Sequence, residues 1–198
     1  MNTSHWQLIF FWIVYYVVHS VLASTKVKIF FEEKMGRWFR YYRLTYSIFA
    51  SITLILILIF QYSFQSPVLI RAELLKYFSF FFLLLPGLVI MFISIKKYFL
   101  LLSGIRSLYE STPPVELKVE GIHRFVRHPL YSGTIIFVWG LFFIFPMLNN
   151  LIAAVLLTVY VLIGINFEEK KLVKEFGKKY EEYIYRVPML IPGAKFNK

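Results

Sequence analysis

The sequence predicts an all-α, polytopic integral membrane protein with about five transmembrane helices and a cytoplasmic C-terminal amphipathic helix. Hydrophobic residues make up 59% of the 198 positions, with 22 Phe and 14 Tyr in the chain. A soluble domain of this length could not bury so much apolar surface, so a lipid bilayer must solvate much of it. The apolar residues also fall into five separate runs, at about 6–22, 44–62, 77–95, 130–146 and 148–167.

The basic residues between these runs predict the topology. All of the 22 Lys and Arg residues except Arg71 and Lys76 lie in the segments 26–43, 96–127 and 168–198. Five spans place these three segments on one side, and the positive-inside rule assigns that side to the cytoplasm. We therefore expect an external N-terminus in a multi-pass protein of a prokaryotic inner membrane. The same rule accounts for the formal charge of +11, so no nucleic-acid partner is expected.

Local sequence justifies the predicted spans and their connections. The second run includes the unbroken apolar stretch Ile52–Phe60, which is typical of a membrane helix. The third run contains Pro86-Gly87, which predicts a kink that neighbouring helices can tolerate. The joint between the last two runs, at Met147–Asn150, is too short for anything but a tight hairpin.

From Glu168 onward the apolar pattern changes. Leu172, Phe176 and Tyr180 recur at helical spacing, while lysines lie mostly on the other face. This pattern predicts a basic amphipathic helix on the membrane surface, and periodicity alone supports no more than an anchor. Gly177 is expected to weaken or end one turn of that helix.

The composition also excludes several kinds of site. Because the chain has no cysteine, it has no disulfide, no thiolate metal ligand and no cysteine nucleophile. Its four histidines have no Asp or Cys nearby, so no metal site is expected. We see no internal repeat or low-complexity segment, and residues 1–198 are expected to form a single domain.

One polar stretch, 121–133, lies between two long apolar regions and carries two histidines, two arginines and a tyrosine. Pro129 restricts His128 to an extended conformation and suits the first position of the helix that follows. The backbone N–H groups of Leu130 and Tyr131 then point at the helix mouth, which favours an anionic group of a ligand. The alternative is a basic loop that simply stops a membrane helix, and composition alone favours that alternative.

A series of motifs resembles a known family. Arg127-His128-Pro129-Leu130-Tyr131-x-Gly133 is followed by Glu168-Glu169-x-x-Leu172, Phe176-Gly177-x-x-Tyr180-x-x-Tyr183 and Val187-Pro188. From Gly121 to about Pro188 the chain resembles the membrane methyltransferase superfamily. That superfamily includes isoprenylcysteine carboxyl methyltransferases, phospholipid N-methyltransferases and methanethiol S-methyltransferases. The resemblance implies S-adenosylmethionine as cofactor, bound by the region 115–198 facing the cytoplasm, and a small-molecule or lipid-like acceptor.

In that superfamily a His-Pro-x-Tyr turn and the first Glu of the Glu-Glu motif hold the cofactor. The N–H groups after Pro129 suit the carboxylate of the cofactor. Glu168 suits the ammonium or the ribose of the cofactor, and the Tyr131 ring suits the sulfonium. The alternative for Glu168 is that it lies at the start of a helix and pairs with Lys171. The match is looser over the stretch 115–118. The positions implied to contact the cofactor are Leu117, His123, His128, Pro129, Leu130, Tyr131 and Glu168.

Three residues are candidates for catalysis. One interpretation of Arg127 is that it binds an anionic group of the cofactor or the acceptor. The other is that its positive charge only fixes the orientation of the neighbouring helix in the membrane. His123 stands where the isoprenylcysteine enzymes usually have Tyr. Three interpretations of it stay open: a base for a thiol, a ring that stacks on adenine, or a residue that faces solvent. His19 lies in His19-Ser20-x-x-Ala23-Ser24, which with Arg43 and Tyr46 resembles the subgroup of methanethiol S-methyltransferases and a denitrification-associated membrane protein family. A histidine satisfied by a neighbouring helix is the alternative for His19.

One further departure from the family bears on the substrate. Gly164 stands where the carboxyl-methylating relatives tend to have arginine, so a thiol acceptor is favoured over a prenylcysteine carboxylate. The resemblance therefore implies an integral-membrane methyltransferase that uses S-adenosylmethionine. A non-catalytic accessory protein that keeps the fold is the main alternative. A transporter is disfavoured, because the chain shows no inverted repeat and little charge within its spans.

Overall fold

The computed structural model describes residues 1–102, 117 and 119–193, and at 97–102 it describes the helical backbone. These residues form helices and no strand beyond an isolated bridge between Val68 and Met147, which confirms the all-α prediction for the described chain. Contacts divide the chain into two compact units. The N-terminal unit contains Met1–Pro67, and the C-terminal unit contains Val68–Lys97 with the described residues from 117 onward. The single domain expected from the sequence stays a prediction.

The N-terminal unit consists of three α-helices and one 3-10 helix. The side chain of Asn2 caps α1 by accepting a hydrogen bond from the His5 N–H, and Ser24 separates α1 from α2 while capping α2. The charged segment predicted at 26–43 is therefore largely helical, because its lysines alternate with good helix formers. The elements are α1 (Thr3–Ala23), α2 (Thr25–Met35), the 3-10 helix Gly36–Tyr41 and α3 (Tyr42–Tyr62).

The C-terminal unit begins with α4 (Glu73–Ser79), continues through one π-helical segment, Phe80–Leu84, and enters α5 (Leu85–Leu102) without a break. The irregularity predicted at Pro86-Gly87 thus lies one turn earlier, where the Leu85 N–H bonds to the Phe80 carbonyl. Proline has no N–H to continue a regular helical ladder, and a π-helical turn is one way to absorb that gap.

Three further α-helices follow in the described part of this unit. The hairpin predicted at Met147–Asn150 is confirmed, since α6 (Pro129–Ile144) and α7 (Leu148–Phe176) are joined by three residues. The predicted boundary at Glu168 is wrong, because α7 continues without a break through the last apolar run and into the charged sequence. Gly177, with φ +57°, ends α7, and the separate amphipathic helix is the shorter α8 (Lys178–Arg186).

Glycines let α6 pack closely against the helix that runs from α4 into α5. A Cβ on Gly87 would lie 2.6 Å from the Phe137 backbone nitrogen, and one on Gly140 would lie 2.7 Å from the Leu84 nitrogen. Gly133 faces the Gly87 carbonyl in the same way, at 3.0 Å. Small residues at these positions allow the backbones to approach, as is usual in membrane helix packing.

Four helical stretches of the described chain are long and apolar enough to cross a membrane. They contain four of the five predicted spans, which supports a membrane protein. The fifth predicted span, 130–146, corresponds to α6, which has 16 residues and is shorter than the others. The four stretches are Thr3–Ala23, Thr25–Tyr62, Glu73–Lys96 and Leu148–Phe176.

Candidate functional site

The site begins where the chain enters α6. Pro129 is the first helical residue, as predicted, but His128 has φ −121° and ψ 66° and is therefore not in the extended region that the sequence predicted. The first backbone bond of the helix runs from the Ser132 N–H to the His128 carbonyl, at 3.0 Å. The N–H groups of Leu130 and Tyr131 precede that bond, at the electropositive end of the helix.

Glu169 joins the two residues that precede this helix. Its Oε1 accepts a hydrogen bond from Arg127 Nε at 2.7 Å and another from His128 Nε2 at 3.1 Å. The Arg127 side chain is 8% exposed and that of Glu169 is 19% exposed. Charge-assisted bonds in such a buried place are strong, and they fix the orientation of the His128 ring.

Glu168 differs from its neighbour: its side chain is 43% exposed, yet its Oε2 atom is buried and has no hydrogen-bond partner in the described part of the chain. The nearest opposing group is His128 Nδ1 at 3.8 Å. Since His128 donates from Nε2 to Glu169, a neutral ring presents a lone pair at Nδ1 and offers Glu168 no proton. Lys171, the partner expected on the alternative reading, forms no ion pair with Glu168.

The segment 187–190, which we call the C-terminal strap, lies against the start of α6. The Arg127 N–H bonds to the Pro188 carbonyl at 2.9 Å, and the His128 N–H bonds to the Met189 carbonyl at 3.2 Å. Ser132 Oγ donates to the Leu190 carbonyl at 2.7 Å. The strap therefore satisfies the backbone donors of the two residues before Pro129 and one side-chain hydroxyl after it, and holds the turn in place.

Arg127 also ties α8 to the site. Its Nη1 donates to the Ile184 carbonyl at 3.1 Å and to the Val187 carbonyl. Two of its three side-chain nitrogens are thus engaged with Glu169 and with the end of α8. These contacts differ from both interpretations drawn from the sequence, since they describe a buried charge that fastens the C-terminal segment.

His123 lies in a short 3-10 helix, Gly121–Arg124, that precedes the turn. Its Nδ1 is 3.2 Å from the Arg127 carbonyl, and its own carbonyl accepts a hydrogen bond from Tyr183 Oη at 2.7 Å. Because a carbonyl can only accept, a neutral ring in this position carries its proton on Nδ1 and its lone pair on Nε2. The pKa of Tyr180 is raised, mainly by burial and secondly by the Glu169 carboxylate. Its hydroxyl therefore stays protonated.

The remaining predicted cofactor contacts lie in or before α6. The Tyr131 ring stacks on His128, with ring centroids 5.7 Å apart. Pro129 is buried and Leu130 is half-buried. Leu117 is half-buried, but most of the stretch 115–118 lies outside the described residues. The structure therefore brings His123, Arg127, His128, Tyr131 and Glu168 to one end of the C-terminal unit.

His19 belongs to the N-terminal unit, where it lies in α1. Both of its ring nitrogens are close to Tyr46 Oη, at 2.8 and 2.9 Å, and Tyr46 is on α3. This contact agrees with the alternative of a histidine satisfied by a neighbouring helix. Its assignment as a catalytic residue stays a prediction.

Sequence reasoning missed three residues of the site. Glu169 was visible in the Glu-Glu motif, but only the first Glu was singled out, whereas the second bonds to both Arg127 and His128. Tyr183 was also in a quoted motif, and Ser132 lay within the central stretch. Nothing in the spacing of Ser132 signals that it bonds to a carbonyl 58 residues away.

Comparison with known proteins identifies the family. A family model described as phospholipid methyltransferase matches residues 81–179, which is half of the chain. The methanethiol S-methyltransferase of Crocosphaera subtropica is 30% identical over 190 residues, covering 90% of this chain and 71% of the relative. Methanethiol S-methyltransferase 1 of Bradyrhizobium diazoefficiens is 32% identical over 195 residues, covering 90% of this chain and 64% of the relative.

A further relative matches a shorter part of the chain. Protein-S-isoprenylcysteine O-methyltransferase B of Arabidopsis thaliana is 38% identical over 81 residues, or 39% of this chain and 40% of the relative. No solved structure matches the chain significantly. The family-model match spans the residues from the π-helical segment to the start of α8, including the turn at Pro129 and both glutamates of the Glu-Glu motif. With that match and the similarity to the two bacterial proteins over 90% of this chain, the chain belongs to the phospholipid methyltransferase family of membrane methyltransferases.

Proposed function

We propose that this protein is an S-adenosylmethionine-dependent methyltransferase that methylates a small thiol from within the membrane. The observation that carries the proposal is the buried Oε2 of Glu168, which has no hydrogen-bond partner in the described chain and faces the start of α6. A buried carboxylate oxygen left without a donor is costly, and a bound ligand that supplies a donor removes the cost. Glu168 and the α6 mouth together offer an acceptor and a set of donors.

The residues present fit the chemistry of this cofactor. Its carboxylate matches the N–H groups of Leu130 and Tyr131 at the electropositive helix end. Its ammonium or ribose hydroxyls match Glu168, and an aromatic face such as that of Tyr131 attracts a sulfonium. When bound, S-adenosylmethionine supplies an electrophilic methyl group.

The chain's own residues would then activate and orient the acceptor. A thiol is mostly protonated at neutral pH, with a typical pKa of about 8.5, and its thiolate is the nucleophile. His123, whose Nε2 carries the lone pair, accepts that proton. General-base help of this kind is typically worth about 10²- to 10⁴-fold in rate. Arg127 and Glu169 hold the turn rigid, so that alignment of the reacting groups is preserved.

Gly164 supports a thiol rather than a carboxylate acceptor. A Cβ at this position would meet nothing within 4 Å, so the absence of a larger side chain is not imposed by packing. Because Gly164 provides no positive charge, a prenylcysteine carboxylate has no clamp at this point. Both bacterial relatives that match 90% of this chain are named methanethiol S-methyltransferases, which also favours a thiol.

The topology that accompanies this proposal has five spans, with the N-terminus outside and the site on the cytoplasmic face of a bacterial inner membrane. The distribution of basic residues supports it. Reporter fusions at Met1 and Lys198 should report opposite sides of the membrane. If both report the same side, an even number of spans replaces this topology.

Transfer of a labelled methyl group from S-adenosylmethionine to thiols, prenylcysteines and phospholipids tests the reaction, with purified protein in liposomes. We expect thiols to be methylated fastest. Glu168→Gln should weaken cofactor binding at least ten-fold, whereas the exposed Glu175→Gln should leave it unchanged. Equal effects of the two variants would remove Glu168 from the pocket, and cofactor binding without transfer to any acceptor would indicate the non-catalytic accessory protein.

His123 is tested by the pH dependence of the thiol reaction. His123→Phe should lower the rate mainly near and below neutral pH, and the rate should recover at higher pH, where the thiol ionises without help. A loss of rate that is the same at every pH would reject the base assignment. A strong preference for prenylcysteine would reject the thiol.

A further inference from the structure

The N-terminal unit contains an elongated apolar cavity that plays no part in the proposed reaction. It has a volume of about 320 Å³ and lies between α1 and α3. Its apolar end is at Phe11 and Phe60, whose rings touch at 5.1 Å between centroids. From Phe11 to Leu22, at the other end, the helix rises by roughly 16 Å at about 1.5 Å per residue. The shape is therefore that of a narrow channel.

The other end of this cavity is polar. His19 and Tyr46 both line it, and Tyr46 Oη lies 2.8 Å from His19 Nδ1 and 3.2 Å from the His19 carbonyl. The rest of the lining is apolar apart from Tyr15 and Thr53. The hydroxyl of Thr53 bonds to the Phe49 and Ala50 carbonyls of its own helix. A ligand that fills the cavity thus meets hydrocarbon along most of its length and hydrogen-bonding groups at one end.

Arg43 adds a positive charge beside the polar end. It precedes Tyr46 by three residues on α3, which places the two side chains on the same face one turn apart. Arg43 is half-buried, and no carboxylate in the described chain lies within ion-pair distance of it. A partly desolvated arginine without a counter-charge favours an anion.

We propose that this cavity binds a single-chain lipid with an anionic head, of the long-chain carboxylate class, with its chain between α1 and α3 and its head at Arg43 and Tyr46. A cavity between two neighbouring helices suits one hydrocarbon chain lying along them rather than the two chains of a bilayer phospholipid. The arginine distinguishes a carboxylate from a neutral lipid. This proposal does not rest on the proposed methyl transfer, which uses none of these residues.

Photolabelling of the purified protein in detergent tests the proposal. The probes are a long-chain fatty acid with a photoreactive group at its tail end and the methyl ester of the same acid. Labelled peptides are mapped by mass spectrometry, and affinity is measured by competition with unlabelled fatty acid. We expect the acid to label the apolar end of the cavity, near Phe11 and Phe60, and the ester to label it at least ten-fold less.

Two variants with matched controls separate head recognition from chain recognition. Arg43→Gln should weaken binding of the acid about ten-fold, as expected when a charge-assisted contact is lost. Arg40→Gln, which removes an exposed arginine three residues earlier, should have no effect. Ala50→Phe should block the cavity and abolish labelling, whereas Ile52→Phe, on the exposed face of the same helix, should not.

Two sets of labelling results would overturn the proposal. Equal labelling by acid and ester, or equal effects of Arg43→Gln and Arg40→Gln, would show that Arg43 only sets topology and would overturn the proposal. Labelling spread over exposed apolar residues of α3, unaffected by Ala50→Phe, would do the same. Because Arg43→Gln does not alter the cavity's shape, it remains decisive even if Ala50→Phe fails to fold. Neither readout requires methyl transfer, so a failure here leaves the proposed function intact.

Discussion

In the N-terminal unit, buried polar side chains mostly form separate pairs across the helices. In the C-terminal unit, an arginine and a histidine side chain instead bind the same carboxylate. Trp12 Nε1 donates to Gln61 Oε1 at 3.2 Å, and His5 Nε2 lies 3.0 Å from Ser66 Oγ. Around Glu169, by contrast, an arginine and a histidine share one oxygen atom. Separate pairs leave room between helices. The cluster of Arg127, His128 and Glu169, which we call the shared centre, fixes several elements at once.

The helix contacts differ in the same sense. In the C-terminal unit, Gly87 and Gly140 bring the backbones of neighbouring helices close together, and adding a single methyl group would cause a clash. In the N-terminal unit, α1 and α3 instead enclose a cavity of about 320 Å³. The comparison indicates that tight packing accompanies the residues that must be aligned for chemistry. Loose packing accompanies an apolar binding space, where shape matters more than orientation.

The largest effect should follow from breaking the shared centre. Arg127→Met leaves the Glu169 carboxylate buried without its main counter-charge, and loss of one partner of a buried pair costs about 3–5 kcal/mol. Thermal unfolding in detergent, followed by tryptophan fluorescence, should show a large drop in stability. The control is Arg186→Met, because Arg186 is exposed and its pairing with Glu182 should contribute no more than about 1 kcal/mol.

A second substitution sharpens this test. If the cost comes from an unpaired charge, then Arg127→Met combined with Glu169→Leu should be more stable than Arg127→Met alone. Equal stability of the single and double variants would mean that Arg127 acts through its bonds to the end of α8. Similar losses for Arg127→Met and Arg186→Met would refute the shared centre altogether.

An intermediate effect is expected from overpacking the glycine contact. Gly87→Ala would place a methyl group 2.6 Å from the Phe137 nitrogen, and such overpacking typically costs about 1–3 kcal/mol. Gly164→Ala is the matched control, because nothing lies within 4 Å of its Cβ and alanine favours a helix by up to about 1 kcal/mol. Unfolding midpoints should therefore move in opposite directions. A shift of the same sign in both variants would contradict the close approach.

The smallest effect concerns the C-terminal strap and compares the two units directly. Ser132→Ala removes the donor to the Leu190 carbonyl and should cost about 0.5–1.5 kcal/mol. Trp12→Phe removes the donor to Gln61 in the N-terminal unit, at a comparable cost. Only Ser132→Ala should weaken S-adenosylmethionine binding, as measured by calorimetry. Weaker binding in both variants would mean that the effect is general destabilisation.

The fold was predictable wherever it depends on local sequence. Each of the five apolar runs is largely helical, and α6 and α7 form the predicted hairpin through a three-residue connection, because run length and connection length are properties of adjacent residues. The end of α7 was not predictable. The change from apolar to charged sequence at Glu168 marks a change of environment, whereas the helix itself ends only at Gly177, where the backbone reverses its φ.

The site was predictable only as far as motifs reached. The His-Pro turn and Glu168 were found because their residue types suit a cofactor, and the structure brings them to one end of the unit. The bonds from Arg127 to Glu169 and to the Ile184 carbonyl join residues 42 and 57 positions apart, and no local pattern encodes such distances. Their existence depends on how α6, α7 and α8 pack together.

The C-terminal strap has a consequence for how the protein is made. The carbonyls that hold the turn belong to Pro188, Met189 and Leu190, which follow every apolar run in the sequence. All the apolar runs are therefore synthesised and available to the insertion machinery while the turn at His128 still lacks its backbone partners. A translation product cut short before Val187 would contain every apolar run but none of the carbonyls that hold this turn. Synthesis of the strap, rather than membrane insertion, is thus the step that completes the turn.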